Sequence, residues 1–378
     1  MNYIIVGKYE RWIYIKPNFI PGLKLSELFY NDVIKEKLEK EYPELEYAAA
    51  LIGQGSEILG FDDKMSTDHH WGPRLQLFLK EDDYDKYNLI IKKYFSKILP
   101  FTFLGYSTNW SEPNEKDGMN QFLELKTNGP INHRIEIYTV ERFLKLTLGL
   151  ESLELNESDW FTIPEQRLLE FTSGKVFYDN FGELTHVRKH INYYPDSIWK
   201  LKIIVQWDRI SQEMSFVGRI GGKGDDLGSR IEASRLVRYI MEMAFILEKK
   251  YIPYEKWFAI AFKQLSISKT LNPLLLGILK ENNWQQREKL LLDAYLQLIK
   301  MHIELSLIPN IKIEPMQFHN RPQLVIPLQN VIEELKRGIN YSFSQVSYSL
   351  GTINQFINIC NNLNPKLCRR AQLFYEEI

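Results

Sequence analysis

Along the first 140 residues the apolar positions switch between a helical and an extended spacing. From Lys24 to Tyr42, Leu25, Leu28, Phe29, Val33 and Leu38 fall on or near one face with charges opposite, which predicts an amphipathic helix stopped by Pro43. Leu45–Ile52 is an apolar run ending at Gly53 and predicts a buried strand, and Arg74–Lys80 predicts a second. Asp82–Leu99 returns to helical spacing through Leu89, Ile90, Tyr94, Phe95 and Ile98, until Pro100 ends it. Phe101–Trp110 and Phe122–Lys126 read as strands around a polar loop at Ser111–Gly118. Arg134–Thr139 alternates apolar and polar residues, as a half-buried strand does.

Past this point helical spacing takes over. It recurs in Val140–Leu148, Asp159–Phe171, Asp196–Gln212, Gly228–Lys250, Tyr254–Leu265, Trp284–Leu307 and Gln323–Arg337. Val176–Arg188 is the exception and reads as a turn between short extended pieces. No repeat of fixed period and no low-complexity tract is present. The expected fold class is therefore α+β, with a mixed-sheet domain over 23–150 and an all-α helical-bundle domain over 151–378. Residues 1–22 form an N-terminal extension, hairpin-like in YIIVG and RWIYI and closed by Pro17 and Pro21-Gly22.

Composition narrows the class without naming a ligand. The 378 residues are 44% hydrophobic and 13% aromatic, enough for filled cores in an ordered protein of about two domains. Lys+Arg of 47 against Asp+Glu of 48 gives a net charge of −1, so global charge offers no strong nucleic-acid signal. Cys360 and Cys368 are the two cysteines, which excludes a disulfide framework and a Cys-rich metal site. No apolar run approaches the ~20 residues of a membrane helix, and the start of the chain lacks a cleavage-site pattern. The expected location is the cytoplasm, with no membrane partner.

Candidate chemistry concentrates in Ala50–Leu79. A strand ending in Gly55-Ser56 exposes backbone N–H groups and a hydroxyl where a phosphate can approach a residue without Cβ. Asp68 and His70 stand two apart, so in extended backbone both side chains share a face. Two metal-ligand types beside a phosphate-binding turn suit metal-assisted phosphoryl or nucleotidyl transfer. Glu136 alternates with Ile135 and Ile137 and so belongs to a polar face, as a third ligand or a base. His69 points away from this pair, and Asp62-Asp63 read as turn formers. In the helical half, Gly218–Arg235 is a glycine-rich loop entering a helix, where Arg230 and Arg235 can clamp phosphates or where the acidic residues simply serve the helix dipole. His186 and His190 share a helix face, but no third ligand completes a zinc site. Trp199, Trp207 and Trp257 read as core. Gly53-x-Gly55 lacks a correctly spaced third glycine, and no Gly-Lys-Ser/Thr follows, so dinucleotide and P-loop readings fail.

Gly55-Ser56 followed after an 11-residue gap by Asp68-x-His70 resembles the Gly-Ser…Asp-x-Asp signature of the polymerase-beta-like nucleotidyltransferase superfamily. The longer string GSEILGFDD…STDHHWGPRLQLFL, with FVGRIGGKGDDLGSR, SRLVRYIMEMAF and YIPYEKW, is similar to a largely uncharacterised bacterial family within it. The resemblance runs from about Leu23 to Arg321 and implies a mixed sheet carrying a metal site, with a helical bundle as in antibiotic nucleotidyltransferases. It implies a nucleoside triphosphate as substrate, Mg or Mn as cofactor, and Lys256 as a phosphate contact. His70 replaces the second acidic residue, and imidazole suits Mn²⁺ or Zn²⁺ better than Mg²⁺. Trp71-Gly72-Pro73 interrupts a strand that is usually continuous. The expected function is NMP transfer to a hydroxyl of a small-molecule, RNA or protein acceptor, with Asp68, His70 and Glu136 as metal ligands and catalytic groups, and Gly55, Ser56, Arg230 and Lys256 holding phosphates. A catalytically silent nucleotide-binding module and a metal-dependent phosphohydrolase are the alternatives.

Overall fold

The computed structural model describes residues 17–67, 69–339, 343–356 and 364–375. The hairpin read in YIIVG and RWIYI and Asp68 lie outside them. The chain divides into two compact units: the first takes the described residues up to Leu153 together with 170–192, the second takes 154–169 and everything from Tyr193 onward.

In the first unit, α1 (Gly22–Phe29) passes through one π-helical turn (Tyr30–Ile34) into α2 (Lys35–Glu41). The wider turn shifts the phase by one residue, so the buried stripe runs Leu25, Phe29, Ile34, Leu38 and leaves Val33 only half-buried. Next come β1 (Tyr47–Leu51), β2 (Arg74–Leu79) and α3 (Glu81–Ile98). The expected strand over Phe101–Trp110 is instead a small hairpin, β3 (Thr102–Phe103) and β4 (Tyr106–Ser107), folded at Leu104-Gly105, where both residues have positive φ. Phe122–Lys126 is likewise not a strand; it contributes a single bridge between Leu123 and Trp110. Then follow β5 (Arg134–Tyr138) and α4 (Val140–Leu148). The helix expected over Asp159–Phe171 is two, α5 (Glu157–Thr162), which belongs to the second unit, and α6 (Glu165–Thr172), which passes from the second unit back into the first, because Pro164 supplies no N–H and forces Ile163 into extended backbone. After α6 come β6 (Lys175–Asp179) and α7 (Glu183–His190).

The main sheet has the order β5-β2-β1-β6, with β2 and β5 parallel and the other pairs antiparallel. Strand periodicity sends Leu75, Leu77, Leu79, Ile135 and Ile137 into a core shared with Leu25, Phe29, Ile91 and Phe95. Arg74, Gln76 and Phe78 of β2 and Arg134, Glu136 and Tyr138 of β5 alternate with these, so they belong to the opposite face. There Phe78 packs edge-on against Phe143 of α4, which also meets Phe171 of α6. Three consecutive alanines in β1 leave room for cover on both faces; all five residues of that strand are buried.

The second unit continues with α8 (Asp196–Glu213), α9 (Phe216–Gly221), α10 (Asp226–Leu247), α11 (Glu255–Phe262), α12 (Ser268–Lys280) and α13 (Trp284–Glu304). A two-residue hairpin, β7 (Met316–Gln317) and β8 (Leu324–Val325), precedes α14 (Leu328–Arg337). The stretch beyond residue 151 is therefore not wholly helical: β6 completes the main sheet of the first unit, and β7–β8 stands among the helices. Pro273 lies inside α12, a helix not among those expected from the sequence. Trp199, Trp207 and Trp257 are buried as expected. Trp207 donates its indole N–H to His302 Nε2 at 3.0 Å, and His302 Nδ1 donates to the Leu298 carbonyl at 2.7 Å. Burial pushes the His302 imidazole down to about 4, so the ring is neutral and its two bonds fix the tautomer.

The polar centre of this unit is Lys202 with Glu165, both fully buried. Lys202 Nζ bonds Glu165 Oε1 and donates to Thr352 Oγ1 at 3.1 Å, while Glu165 Oε2 accepts the Ile252 N–H at 2.9 Å. Four separate segments thus meet at one ion pair. Lys202→Met strands a buried carboxylate and should lower stability by about 3–5 kcal/mol, whereas Lys202→Met with Glu165→Gln should recover a large part of that loss. Urea unfolding of the full chain measures both; equal losses in the single and double variants would contradict the pairing.

Candidate functional site

The site is built where β1 stops and β2 and β5 start, because β1 runs antiparallel to β2 and β2 parallel to β5. After Leu51 the chain turns sharply. Gly53 has φ 93° and donates its N–H to the Glu170 carbonyl at 2.9 Å, and Gly55 has φ 146°. Residues 56–61 then close a tight turn, with the Phe61 N–H on the Ser56 carbonyl at 2.9 Å. Among the described residues, none accepts a hydrogen bond from the N–H of Gln54, Gly55, Ser56, Glu57 or Ile58. Five consecutive backbone donors are thus left without a protein acceptor, across a corner that runs from exposed Gln54 to buried Ile58.

The corner is tied to β2 by charge. Arg74 Nη2 donates to the Gln54 carbonyl at 2.7 Å, and Arg74 holds Glu57 through Nε at 3.0 Å and Nη2 at 2.6 Å. Both side chains are almost fully buried, at 6% and 3% exposure. A Cβ on Gly55 would lie 2.5 Å from Glu57 Oε2 and 2.7 Å from Arg74 Nη2. The space that Gly55 leaves is thus occupied by this ion pair, and what the corner offers a ligand is its unpaired N–H groups. One residue further along the same face, Gln76 bonds both the N–H and the carbonyl of Ile52 at 3.1 Å, which fixes the end of β1.

Arg134 and Glu136 lie beside Arg74 and Gln76 in register. Arg134 Nη2 donates to Glu136 Oε1 at 3.0 Å, and Nη1 meets His70 Nδ1 at 2.6 Å. The guanidinium has no acceptor, so Nδ1 must present its lone pair and the neutral ring carries its proton on Nε2. Burial first, then the positive charges of Arg134 and Arg74, push the His70 imidazole down to about 4. The Arg134 guanidinium also stands 5.1 Å from the centre of the buried Trp110 ring. Tyr138 donates to Glu136 Oε2 at 3.5 Å, and its hydroxyl is pushed up by burial and by the Glu136 charge. His70 has φ 51° and donates its N–H to the Gln121 carbonyl at 2.9 Å, so the segment is turned rather than extended and the face-sharing argument for Asp68 and His70 loses its premise.

Of the residues singled out by sequence, Gly55, Ser56, His70 and Glu136 come to one end of the sheet. Asp68 lies outside the described residues. The sequence did not single out Glu57, Arg74, Gln76, Arg134 or Tyr138. Arg134 and Tyr138 share parity with Glu136 and were within reach of the pattern; Arg74 and Gln76 emerge only from strand register. Asp62 and Asp63 serve turns and anchoring: Asp62 Oδ2 accepts from Gly22 N–H and Trp71 Nε1, and Asp63 Oδ1 from Met65 and Ser66 N–H.

The described donors do not fit a divalent cation as they stand. His70 and Glu136 both converge on a cation, but that cation is the guanidinium of Arg134, and His70 has spent its Nδ1 lone pair on it. Among the described residues no three His, Cys, Asp or Glu side chains group as a metal centre.

Arg230 and Lys256 belong to the second unit. Arg230 is held by Asp226 at 2.6 Å and by Asn282 at 2.8 Å, and Arg235 pairs with Glu213 and Glu232. Lys256 stands over the ring of its neighbour Trp257 at 4.7 Å. In the glycine-rich stretch, Asp225 caps α10 through the Gly228 N–H at 2.8 Å. A Cβ on Gly218 would meet Glu288 Oε1 at 2.3 Å and one on Gly221 the Trp284 ring at 2.5 Å, so these glycines let α9 close onto α13.

Comparison with known proteins adds two findings. Residues 160–258, less than half of the chain, match a family described as a domain of unknown function (DUF4037). A solved structure of a nucleotidyltransferase-like protein from Exiguobacterium sibiricum 255-15 is similar at 12% identity, covering 82% of this chain and 88% of that one, with a TM-score of 0.31. That score is too low to carry fold or function from one chain to the other. No curated protein matches the sequence. No helix of the described residues is long and apolar enough to cross a membrane.

Gly55→Ala should destabilise the first unit more than Gly60→Ala. Both positions have positive φ, but nothing lies within 4 Å of the Gly60 position. Backbone strain alone predicts about 1–2 kcal/mol at Gly60, and displacing the ion pair adds about 1–3 kcal/mol at Gly55. Denaturant titration compares the two; equal losses would remove the ion pair as the reason for the glycine.

Proposed function

We propose that the first unit binds the phosphates of a nucleoside triphosphate at the Gly53–Ile58 corner and transfers the nucleotidyl group to a hydroxyl acceptor. The observation that carries this reading is the run of five unpaired backbone N–H groups opening beside the face of Arg74, Arg134 and Glu136. Successive N–H groups of a turn suit phosphate oxygens, because each donates without needing to reorganise. In the transfer, the acceptor oxygen attacks the α-phosphorus, the bond to the bridging oxygen of the β-phosphate breaks, and pyrophosphate leaves. Glu136 takes the hydroxyl proton: its Oε1 is oriented by Arg134, while its Oε2 has only the long Tyr138 contact. Arg134 supplies positive charge beside that base. Mg or Mn as cofactor belongs to this reading through the resemblance, with Asp68 as the further carboxylate; the described donors provide no ready-made cage for it.

A second reading, nucleotide binding without transfer, is favoured by the bond between His70 Nδ1 and Arg134. It ties up the imidazole that the superfamily pattern would place on a metal.

The test incubates the full chain with labelled ATP, GTP, CTP or UTP, with Mg²⁺, Mn²⁺ or chelator, across small-molecule, RNA and protein acceptors. The expected outcome is saturable binding of at least one triphosphate, with Glu136→Gln retaining binding and losing transfer about a hundredfold or more. Binding with no transfer to any acceptor supports the second reading. Absence of binding for every triphosphate overturns both.

A further inference from the structure

A separate feature lies wholly in the second unit. Trp284, Glu288, Lys289, Leu292 and Asp293 make a two-residue-wide stripe along α13, and Pro315, Pro322 and Leu324 of the β7–β8 segment face it across a cavity of about 640 Å³. Glu288 lines this cavity and is only 5% exposed. Its Oε2 accepts the Leu324 N–H at 3.2 Å, which pins the hairpin to α13. Its Oε1 has no partner among the described residues, and Glu288 enters no ion pair there. Behind it, Gly218 leaves just enough room for the carboxylate, and Gly221 leaves room for the indole of Trp284.

A buried carboxylate with one oxygen unsatisfied is costly unless a donor or cation arrives. Burial pushes the Glu288 carboxyl up to about 7, and the one influence against burial is the Leu324 N–H. The charged groups on its own helix, Lys289 and Asp293, and Arg219 on α9, which stands over the Phe216 and Phe318 rings, leave that carboxyl unneutralised. The walls are mainly apolar, made by Trp284, Leu292, Leu324 and two prolines, and Gln285, Lys289 and Asp293 complete the lining. A carboxylate in an apolar cavity beside an indole selects a positively charged donor attached to an apolar body.

We propose that this cavity is a binding site for an organic ammonium ion, its nitrogen on Glu288 and its apolar part between Trp284 and the proline-lined hairpin. The proposal rests on the second unit alone and stands or falls independently of triphosphate binding. A ligand ammonium would donate to Oε1, which requires a small outward movement of the carboxylate from Gly218.

Calorimetry on the full chain at pH 8 tests it with 2-phenylethylammonium as the probe and 2-phenylethanol as the uncharged match. The expected result is saturable binding of the amine, at least tenfold tighter than the alcohol. Glu288→Gln keeps an acceptor for the Leu324 N–H and should bind the amine at least tenfold more weakly. It should also unfold at a higher temperature than the parent at pH 8, since it removes a buried charge; this shows that the variant is folded. Trp284→Phe should weaken both probes alike. Lowering the pH from 8 to 6 should weaken the amine and leave the alcohol unchanged, as the carboxylate takes up its proton. Equal binding of amine and alcohol, undiminished binding by Glu288→Gln, or no saturable binding to the parent protein each overturn the proposal.

Discussion

The end of the sheet that carries the candidate site depends on one buried ion pair, Arg74 with Glu57. Arg74 opens β2, Glu57 lies in the turn after β1, and the guanidinium also holds the Gln54 carbonyl. One side chain therefore ties two points of a loop, Gln54 and Glu57, to the start of β2. Burying two charges is expensive, and such a pair is weak evidence for net stability. Its value here is geometric. With the fork of Arg74 occupied by Glu57 and Gln54, the corner backbone is held with its N–H groups unspent. The requirement for glycine at 55 follows from the same pair, because a Cβ would enter the space of both charged groups.

Much of the frame was legible in the residues. The π turn is a case where it was not: Leu25, Leu28, Phe29, Val33 and Leu38 fit a regular helix, and only tertiary burial of Ile34 discloses the added residue. β6 was read only as a short extended piece, and its place in the main sheet was hidden for a different reason. KVFYD is short and its residues are only half-buried, so the alternation carries little contrast, and its partner in the sheet is β1, more than a hundred residues earlier. Pro164 was visible and should have divided the helix at Asp159–Phe171. Of the site, Gly55, Ser56 and His70 were legible from their spacing in one polar loop, and Glu136 from its alternation with Ile135 and Ile137. Arg134 shares parity with Glu136 and was within reach of the pattern, whereas Arg74 was not, since its partner Glu57 lies in a turn 17 residues earlier and only the fold brings the two together.

The glycine-rich stretch at Gly218–Gly224 shows how a phosphate-like pattern can arise from packing. Two of its glycines lie against large side chains of α13, Glu288 and Trp284, where any Cβ would collide. Asp225 and Asp226 cap and anchor the next helix, the latter through Arg230 and the fully buried Arg287. Asp226, Arg230 and Arg235 each have a partner of opposite sign within the same unit, and Asp225 is spent on the helix cap. The unsatisfied group is elsewhere, on Glu288, a residue whose sequence context is an ordinary amphipathic helix.

Charge balance decides what kind of recognition the sheet face can offer. Arg74 is matched by Glu57 and Arg134 by Glu136, and His70 is neutral while it accepts from Arg134. The face therefore carries almost no net charge, in keeping with a chain whose net charge is −1. A triphosphate approaching it would meet little long-range attraction, so its affinity would come from short-range, directed N–H groups and from the three N–H donors that Arg134 still has to give. Arg134 is central to both halves of that account. Its bonds to His70 and Glu136 neutralise the face, and breaking either one for a phosphate oxygen frees an imidazole lone pair or a carboxylate beside the bound ligand. Under the proposed function, a site built this way would couple the arrival of the phosphate to the release of His70 or Glu136, with a single guanidinium as the coupling element.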